Sequence, residues 1–313
     1  MTAATISRKR PKGVLAMGWA SFESAARGRT EHAPTSADYP DSVVRRTSFT
    51  AGGGLGWRIS ALETPRAAPA PWKIVVITGA PSWAEYWAET LAELPLDREM
   101  IVVDRPGYGA SEPQEPVTDI RTQALALAPL LNAARGQKII LVGQSYGAAI
   151  ATLMAQDNPG KVESLVLLSG FFSEPGATAR WLLDMGGKAL KLLPRDLRHA
   201  VIECTGQRPQ LAYAKRALAR LSIPIHMIHG DKDDFAPIEV AERLAAETAT
   251  RRPIDFVRTP GGNHFLNDGP AEQLIAVLEA CIPARQPWTF RWPKLPAISL
   301  PGVFGLGAPR QTA

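Results

Sequence analysis

Short runs of branched apolar residues recur along the chain, separated by longer stretches whose apolar positions fall at helical spacing. Lys73–Thr78, Met100–Asp104, Lys138–Val142, Val162–Leu168 and Ile223–Ile228 are too short for helices. They are also too continuously apolar for a sheet with one wet face, so they predict strands buried on both sides. Trp83–Leu94, Thr118–Arg135, Ala148–Ala155, Ile238–Thr248 and Ala271–Ile282 predict helices between and after those strands. Val43–Phe49 and Leu55–Leu62 flank Ala51-Gly52-Gly53-Gly54 and predict two early strands joined by a turn. Ile254–Val257 predicts a short last strand. Strand and helix in alternation predict an α/β fold, a mostly parallel sheet with helices on both faces.

One interval breaks this rhythm. Residues 170–222 stand between two strands, far more chain than a single crossover helix requires. The interval carries Phe171, Phe172, Trp181, Leu182, Leu183, Met185, Leu192 and Leu193, and Gly186-Gly187 is expected to break one of its helices. Its apolar residues either pack this insertion onto the core or also line a pocket. The resulting division is a basic N-terminal extension (1–42), a core (43–169 and 223–282), an insertion (170–222) and a Pro- and aromatic-rich tail (283–313).

Composition adds limits rather than a function. At 313 residues the chain can bury a sizeable core in one large domain. The net charge is +5, but residues 1–50 hold 8 Lys/Arg against 4 Asp/Glu and residues 283–313 hold 4 against none. Residues 51–282 are therefore net negative and show no basic stripe, which argues against nucleic acid as a partner. The two cysteines, Cys204 and Cys281, imply no disulfide framework, and a cytoplasmic location is expected. No apolar run is long enough to span a bilayer.

The Arg8-Lys9-Arg10-Pro11-Lys12 segment precedes a weakly amphipathic stretch with Leu15, Trp19 and Phe22. Its glycines and tryptophan interrupt the apolar centre that a secretory signal needs. A transit peptide, a surface-lying helix and a mobile arm all remain open. The tail, with Trp288, Phe290, Trp292 and Phe304 among its prolines, reads as extended chain that wraps the domain or docks on a partner or membrane surface.

Candidate chemistry begins at Gly143-Gln144-Ser145-Tyr146-Gly147, between the strand from Lys138 and the helix from Ala148. In a G-x-S-x-G set on such a turn, the serine is held in a strained conformation with its hydroxyl projecting from the sheet. The glycines let strand and helix pass where a Cβ would clash. The first helical turn leaves unpaired N–H groups that can receive a developing oxyanion. A glycine-flanked turn serine without chemistry is the alternative reading. The stretch resembles the nucleophile elbow of the α/β-hydrolase family.

The resemblance extends to three other motifs, in the family's order, over roughly residues 43–282. Asp104-Arg105-Pro106-Gly107-Tyr108-Gly109-Ala110-Ser111 is similar to the family's D-x-P-G-x-G-x-S loop, read here as structural. The loop after Ile228 is similar to G-x-x-D-x-x-x-P, which aligns Gly230, Asp233 and Pro237 and implies Asp233 as the acid. Asp231 is then a turn former, and Asp234 is solvated. His264 lies in the Gly261-Gly262-Asn263-His264-Phe265 loop, where the family places its base.

The family's oxyanion hole implies the N–H of Tyr146 and, after Thr78-Gly79, that of Ala80. The histidine usual before that glycine is missing. Trp83, Phe171, Phe172, Trp181 and Phe265 are candidates for lining an acyl pocket.

The resemblance implies an α/β-hydrolase fold with a small helical lid at residues 170–222, and hydrolysis of a carboxylic ester or thioester by Ser145, His264 and Asp233 through an acyl-enzyme. The partner implied is a small-molecule acyl ester, with no cofactor and no metal. Carbon–carbon bond hydrolysis and acyl transfer use the same triad. A non-catalytic binding protein of this fold would be marked by a missing triad residue, and none is missing.

Overall fold

Among the described residues eight strands form one sheet, and their order locates the site. β1 (Arg45–Thr50), β2 (Arg58–Glu63), β3 (Trp72–Ile77), β4 (Arg98–Val103), β5 (Lys138–Gln144), β6 (Ser164–Leu168), β7 (Ile225–Gly230) and β8 (Asp255–Thr259) lie in the order β1-β2-β4-β3-β5-β6-β7-β8. β1 pairs antiparallel with β2, and β2 antiparallel with β4. The remaining neighbours are parallel. The structure is a computed structural model that describes residues 38–283 apart from 173, 249–253 and 269. Nearly all of the expected N-terminal extension and of the Pro-rich tail lies outside the described residues.

Eight α-helices accompany the sheet among the described residues: α1 (Ala88–Ala92), α2 (Ile120–Leu127), α3 (Gly147–Asp157), α4 (Ala177–Lys188), α5 (Arg195–Gln207), α6 (Leu211–Arg220), α7 (Ile238–Thr248) and α8 (Ala271–Ala280). Alternate residues of the central strands feed two separate cores, as burial on both faces requires. Val75, Ile77, Ile139 and Leu141 pack with residues of α2, α3 and α6. Ile74, Val76, Ile140 and Val142 pack on the other face with residues of α1 and α8.

Three expected elements differ from the sequence reading. The helix expected over Trp83–Leu94 opens as a 3₁₀ turn, Ala84–Trp87, before α1. The helix expected over Thr118–Arg135 ends at Leu127 and tightens into a 3₁₀ turn, Ala128–Leu131. Pro129 lacks the N–H that a continuing α-helix needs, and its ring opposes the carbonyl of the preceding turn. Gly186-Gly187 does not break a helix but lies within α4. A Cβ on Gly186 would stand 2.6 Å from Val201 Cγ2, so the glycine permits close contact between α4 and α5.

The long interval between β6 and β7 holds α4, α5 and α6. Leu211, Ala214, Ala217 and Leu218 of α6 belong to the sheet's own core. Of these three helices, α4 and α5 line the cavity described below and α6 does not.

Candidate active site

The carboxyl ends of the parallel strands carry the loops that meet over the sheet, the usual place for a ligand site in such folds. β5 ends at Gln144, and Ser145 turns the chain into α3 with φ of 49°. That left-handed conformation is unusual for a residue with a side chain. It is fixed from several sides. Ser145 N–H donates to Leu168 O at 2.9 Å, and Ser145 O accepts from Ala148 N and Phe171 N at 3.0 and 3.1 Å. A Cβ on Gly143 would lie 2.6 Å from Ala148 Cα, and one on Gly147 would lie 2.4 Å from Ile77 O. Both glycines are therefore required by the crossing of strand and helix.

The loops after β7 and β8 complete the cluster. Ser145 Oγ lies 2.8 Å from His264 Nε2, and His264 Nδ1 lies 2.8 Å from Asp233 Oδ2. The His264 ring stacks on Phe235 with centroids 5.2 Å apart and meets Phe265 edge-on at 5.3 Å. These aromatic walls restrict the ring's rotation. Asp233 Oδ1 accepts from Phe235 N at 3.0 Å and Ala236 N at 2.8 Å, so the carboxylate plane is fixed as well.

A residue not anticipated from the sequence joins them. His229, the penultimate residue of β7, has Nε2 2.6 Å from Ala236 O and 3.1 Å from Asp233 Oδ2. Its N–H is thus shared between the two oxygens. Burial alone pushes the Asp233 carboxyl up, but the hydrogen bonds from His229, His264 and Ala236 outweigh it and hold the group well below the usual carboxylate range.

The neighbouring acids do different work. Asp231 is exposed and accepts from Gly261 N at 2.7 Å, which ties the β7 loop to the β8 loop rather than to its own backbone. Asp234 is exposed and bonded to Thr178 of α4. The Asp104 loop is tied both to itself and to its neighbours: Ser111 Oγ donates to Asp104 O at 2.6 Å, while Asp104 Oδ1 accepts from Ala84 N and Oδ2 from Arg46 Nη1.

A cavity of about 480 Å³ opens onto Ser145 and His264. Ala80 and Tyr146 line it, and among the described residues neither backbone N–H donates to a protein acceptor. Phe171, Trp181 and Phe265 line it as well, together with Leu182, Leu197 and Val201 of the insertion. Trp181 remains 60% exposed. Two other aromatic candidates lie elsewhere. Trp83 is buried in the core beneath the α1 face, with its ring 4.7 Å from Tyr86. Phe172 is buried against the opposite core, its ring turned under Gly170. Both are near the site along the chain, but neither lines the cavity. Cys204 also lines the cavity, and burial beside Glu203 pushes its thiol up to about 12. No group of His, Cys, Asp and Glu among the described residues is arranged to hold a metal ion.

Strand order, elbow and the loops at the sheet's carboxyl edge define an α/β hydrolase, and the chain belongs to the alpha/beta hydrolase fold family, whose model matches residues 73–205. Its relatives include a putative carbamate hydrolase, RutD, of Pseudomonas savastanoi, 30% identical over 215 residues that cover 58% of this chain and 83% of RutD. Another is the alpha/beta hydrolase domain-containing protein WAV2 of Arabidopsis thaliana, 28% identical over 170 residues. That match covers 51% of this chain and about half, 52%, of WAV2. Among solved structures, a thermophilic esterase from Thermogutta terrifontis superimposes with a TM-score of 0.59 at 20% identity, covering 75% of this chain and 97% of the esterase.

Proposed function

We propose that the protein is a serine hydrolase that cleaves carboxylic esters or thioesters bearing an apolar acyl group. The observation that carries the reading is the continuous hydrogen-bonded chain from Asp233 through His264 to Ser145 Oγ at the floor of an apolar cavity. Similarity to a putative carbamate hydrolase and to an esterase fold is consistent with acyl chemistry at this centre.

In this reading His264 Nε2 takes the hydroxyl proton as Ser145 Oγ attacks the acyl carbon. The ionised Asp233 stabilises the imidazolium and holds Nδ1–H. The carbonyl oxygen becomes an oxyanion facing the N–H groups of Ala80 and Tyr146, where α3 begins. Collapse breaks the bond to the leaving alcohol or thiol, which receives the proton from His264. Water then attacks the acyl-enzyme with His264 again as base, and the acid leaves. The apolar lining receives the acyl chain and excludes water from it.

The test is turnover of p-nitrophenyl esters of increasing acyl length by the wild type and by Ser145→Ala. Loss of turnover by about 10⁴ or more in a folded Ser145→Ala variant is expected. Unchanged turnover would refute the mechanism.

A further inference from the structure

The family resemblance leaves one gap, the missing histidine before Gly79, and one residue without a role, Arg105. They meet in space. Arg105 is fully buried, and its Nε and Nη2 both donate to Gly79 O, at 3.2 and 2.9 Å. On its other side Nη1 donates to Gln123 Oε1 at 2.7 Å and to Glu203 Oε2 at 3.0 Å. The guanidinium lies over the rings of Tyr108 and Tyr146, 4.4 and 4.7 Å from their centroids.

Gly79 O and Ala80 N–H belong to one peptide unit, which is trans. In a trans peptide the carbonyl and the N–H point in opposite directions in a common plane. Two donors on that carbonyl therefore fix the direction in which Ala80 N–H points. A cation on the carbonyl also polarises the peptide, and hydrogen-bond chains strengthen along their length. The same guanidinium bears on the ring of Tyr146, whose N–H is the second candidate donor.

Glu203 lies on α5 of the helical insertion and is fully buried. It accepts from Arg105, from Tyr108 Oη at 2.9 Å and from Gln123 Nε2 at 3.1 Å. Every hydrogen-bonding edge of the Arg105 guanidinium that carries a bond is thus directed either at Gly79 or at residues that hold it in place.

We propose that Arg105 is the positioning residue of the oxyanion hole, clamping the Gly79–Ala80 peptide so that Ala80 N–H faces the reacting carbonyl, and that Glu203 makes the helical insertion part of this clamp. The proposal rests on the serine-hydrolase reading above. It predicts a defect confined to the transition state, because the substrate's acyl chain contacts other residues.

Arg105→Met alone would leave the Glu203 carboxylate buried without its cation, so the decisive variant is the double substitution Arg105→Met with Glu203→Gln. The readouts are kcat and KM on one p-nitrophenyl ester, inhibition by an alkyl trifluoromethyl ketone, thermal melting and labelling by a fluorophosphonate. The ketone adds to a serine as a tetrahedral oxyanion and so reports the hole directly.

Expected is a fall in kcat of about 10²-fold, the lower range for loss of one oxyanion donor, with KM within about threefold. The ketone should weaken by the same factor as kcat. Arg105→Lys, which keeps the charge and one donor, should recover part of both, and Glu203→Gln alone should give a smaller loss of the same kind. Unchanged kcat and ketone inhibition in the folded double variant would overturn the proposal while leaving the serine-hydrolase reading intact. Equal losses in kcat, substrate affinity and melting temperature, with no selective effect on the ketone, would also overturn it. A wild type that is folded but neither labelled nor active on esters would overturn the functional reading itself, and the proposal with it.

Discussion

Asp233→Asn is the substitution whose effect the geometry defines most closely. Asp233 Oδ1 accepts two backbone N–H groups, while Oδ2 receives His264 Nδ1 at 2.8 Å and His229 Nε2 at 3.1 Å. An asparagine has one acceptor oxygen and one NH₂. Placing the oxygen on the two backbone donors retains both of those bonds and turns the NH₂ toward His264. Turning it round would set the NH₂ against the N–H groups of Phe235 and Ala236. The first orientation sets the NH₂ against one donor only, the His229 N–H, which keeps its shorter bond to Ala236 O; it therefore wins, and it presents a donor to His264 Nδ1. The ring must then carry its proton on Nε2, where it cannot accept the proton of Ser145. The stabilisation of the imidazolium is lost as well. The expected loss is about 10⁴ in turnover, or roughly 5.4 kcal/mol of transition-state stabilisation. Asp231→Asn keeps an oxygen for the exposed bond from Gly261 N, so its expected loss is about tenfold or less, roughly 1.4 kcal/mol. Both variants should be assayed on the same p-nitrophenyl ester from about pH 6 to about pH 9, with thermal melts to confirm folding. A larger loss from Asp231→Asn would reverse the assignment. Small, equal losses would place the orienting carboxylate elsewhere.

Two further outcomes follow from the buried groups. Burial pushes both cysteine thiols up to about 12, so native Cys204 and Cys281 should resist iodoacetamide at about pH 7.5, where the thiolate fraction is on the order of 10⁻⁴. The urea-unfolded chain should be alkylated at both, and rapid modification of native Cys204 would show that the cavity wall is wetter than described. Asp233 gives a pH dependence of stability. Its folded value lies below the unfolded one of about 3.9, so its contribution is present above that pH and is lost as pH falls through the folded value. The melting-temperature advantage of the wild type over Asp233→Asn should shrink between about pH 5 and about pH 2. An advantage that grows on acidification would contradict an ionised carboxylate.

The sheet was legible because strands buried on both faces leave continuous apolar runs, and the elbow because two glycines, a serine and a strand-to-helix change sit within a few residues. The loops bearing Asp233 and His264 could be located from turn residues at fixed spacing. What remained hidden depends on contacts distant in sequence. Glu203 reads as an ordinary polar position of an insertion helix, and only the fold places it against Arg105, nearly a hundred positions earlier. His229 shares an N–H with Asp233 because of the tight turn after β7, which its strand-end position did not reveal. Trp83 and Phe172 illustrate the converse. Proximity along the chain to an active-site loop does not fix the side to which a ring turns, and here both rings fill the core. The glycine pair of α4 predicts a helix break from sequence alone, although one of the two serves helix-to-helix packing against Val201.

The most direct test of the central claim is a peptide map of the intact protein after treatment with a fluorophosphonate. The serine-hydrolase account predicts one phosphonyl adduct, on Ser145, with stoichiometric loss of ester turnover, and no adduct in a folded Ser145→Ala variant. A folded wild type that forms no adduct, or forms it on another residue while Ser145→Ala keeps its turnover, would contradict the account.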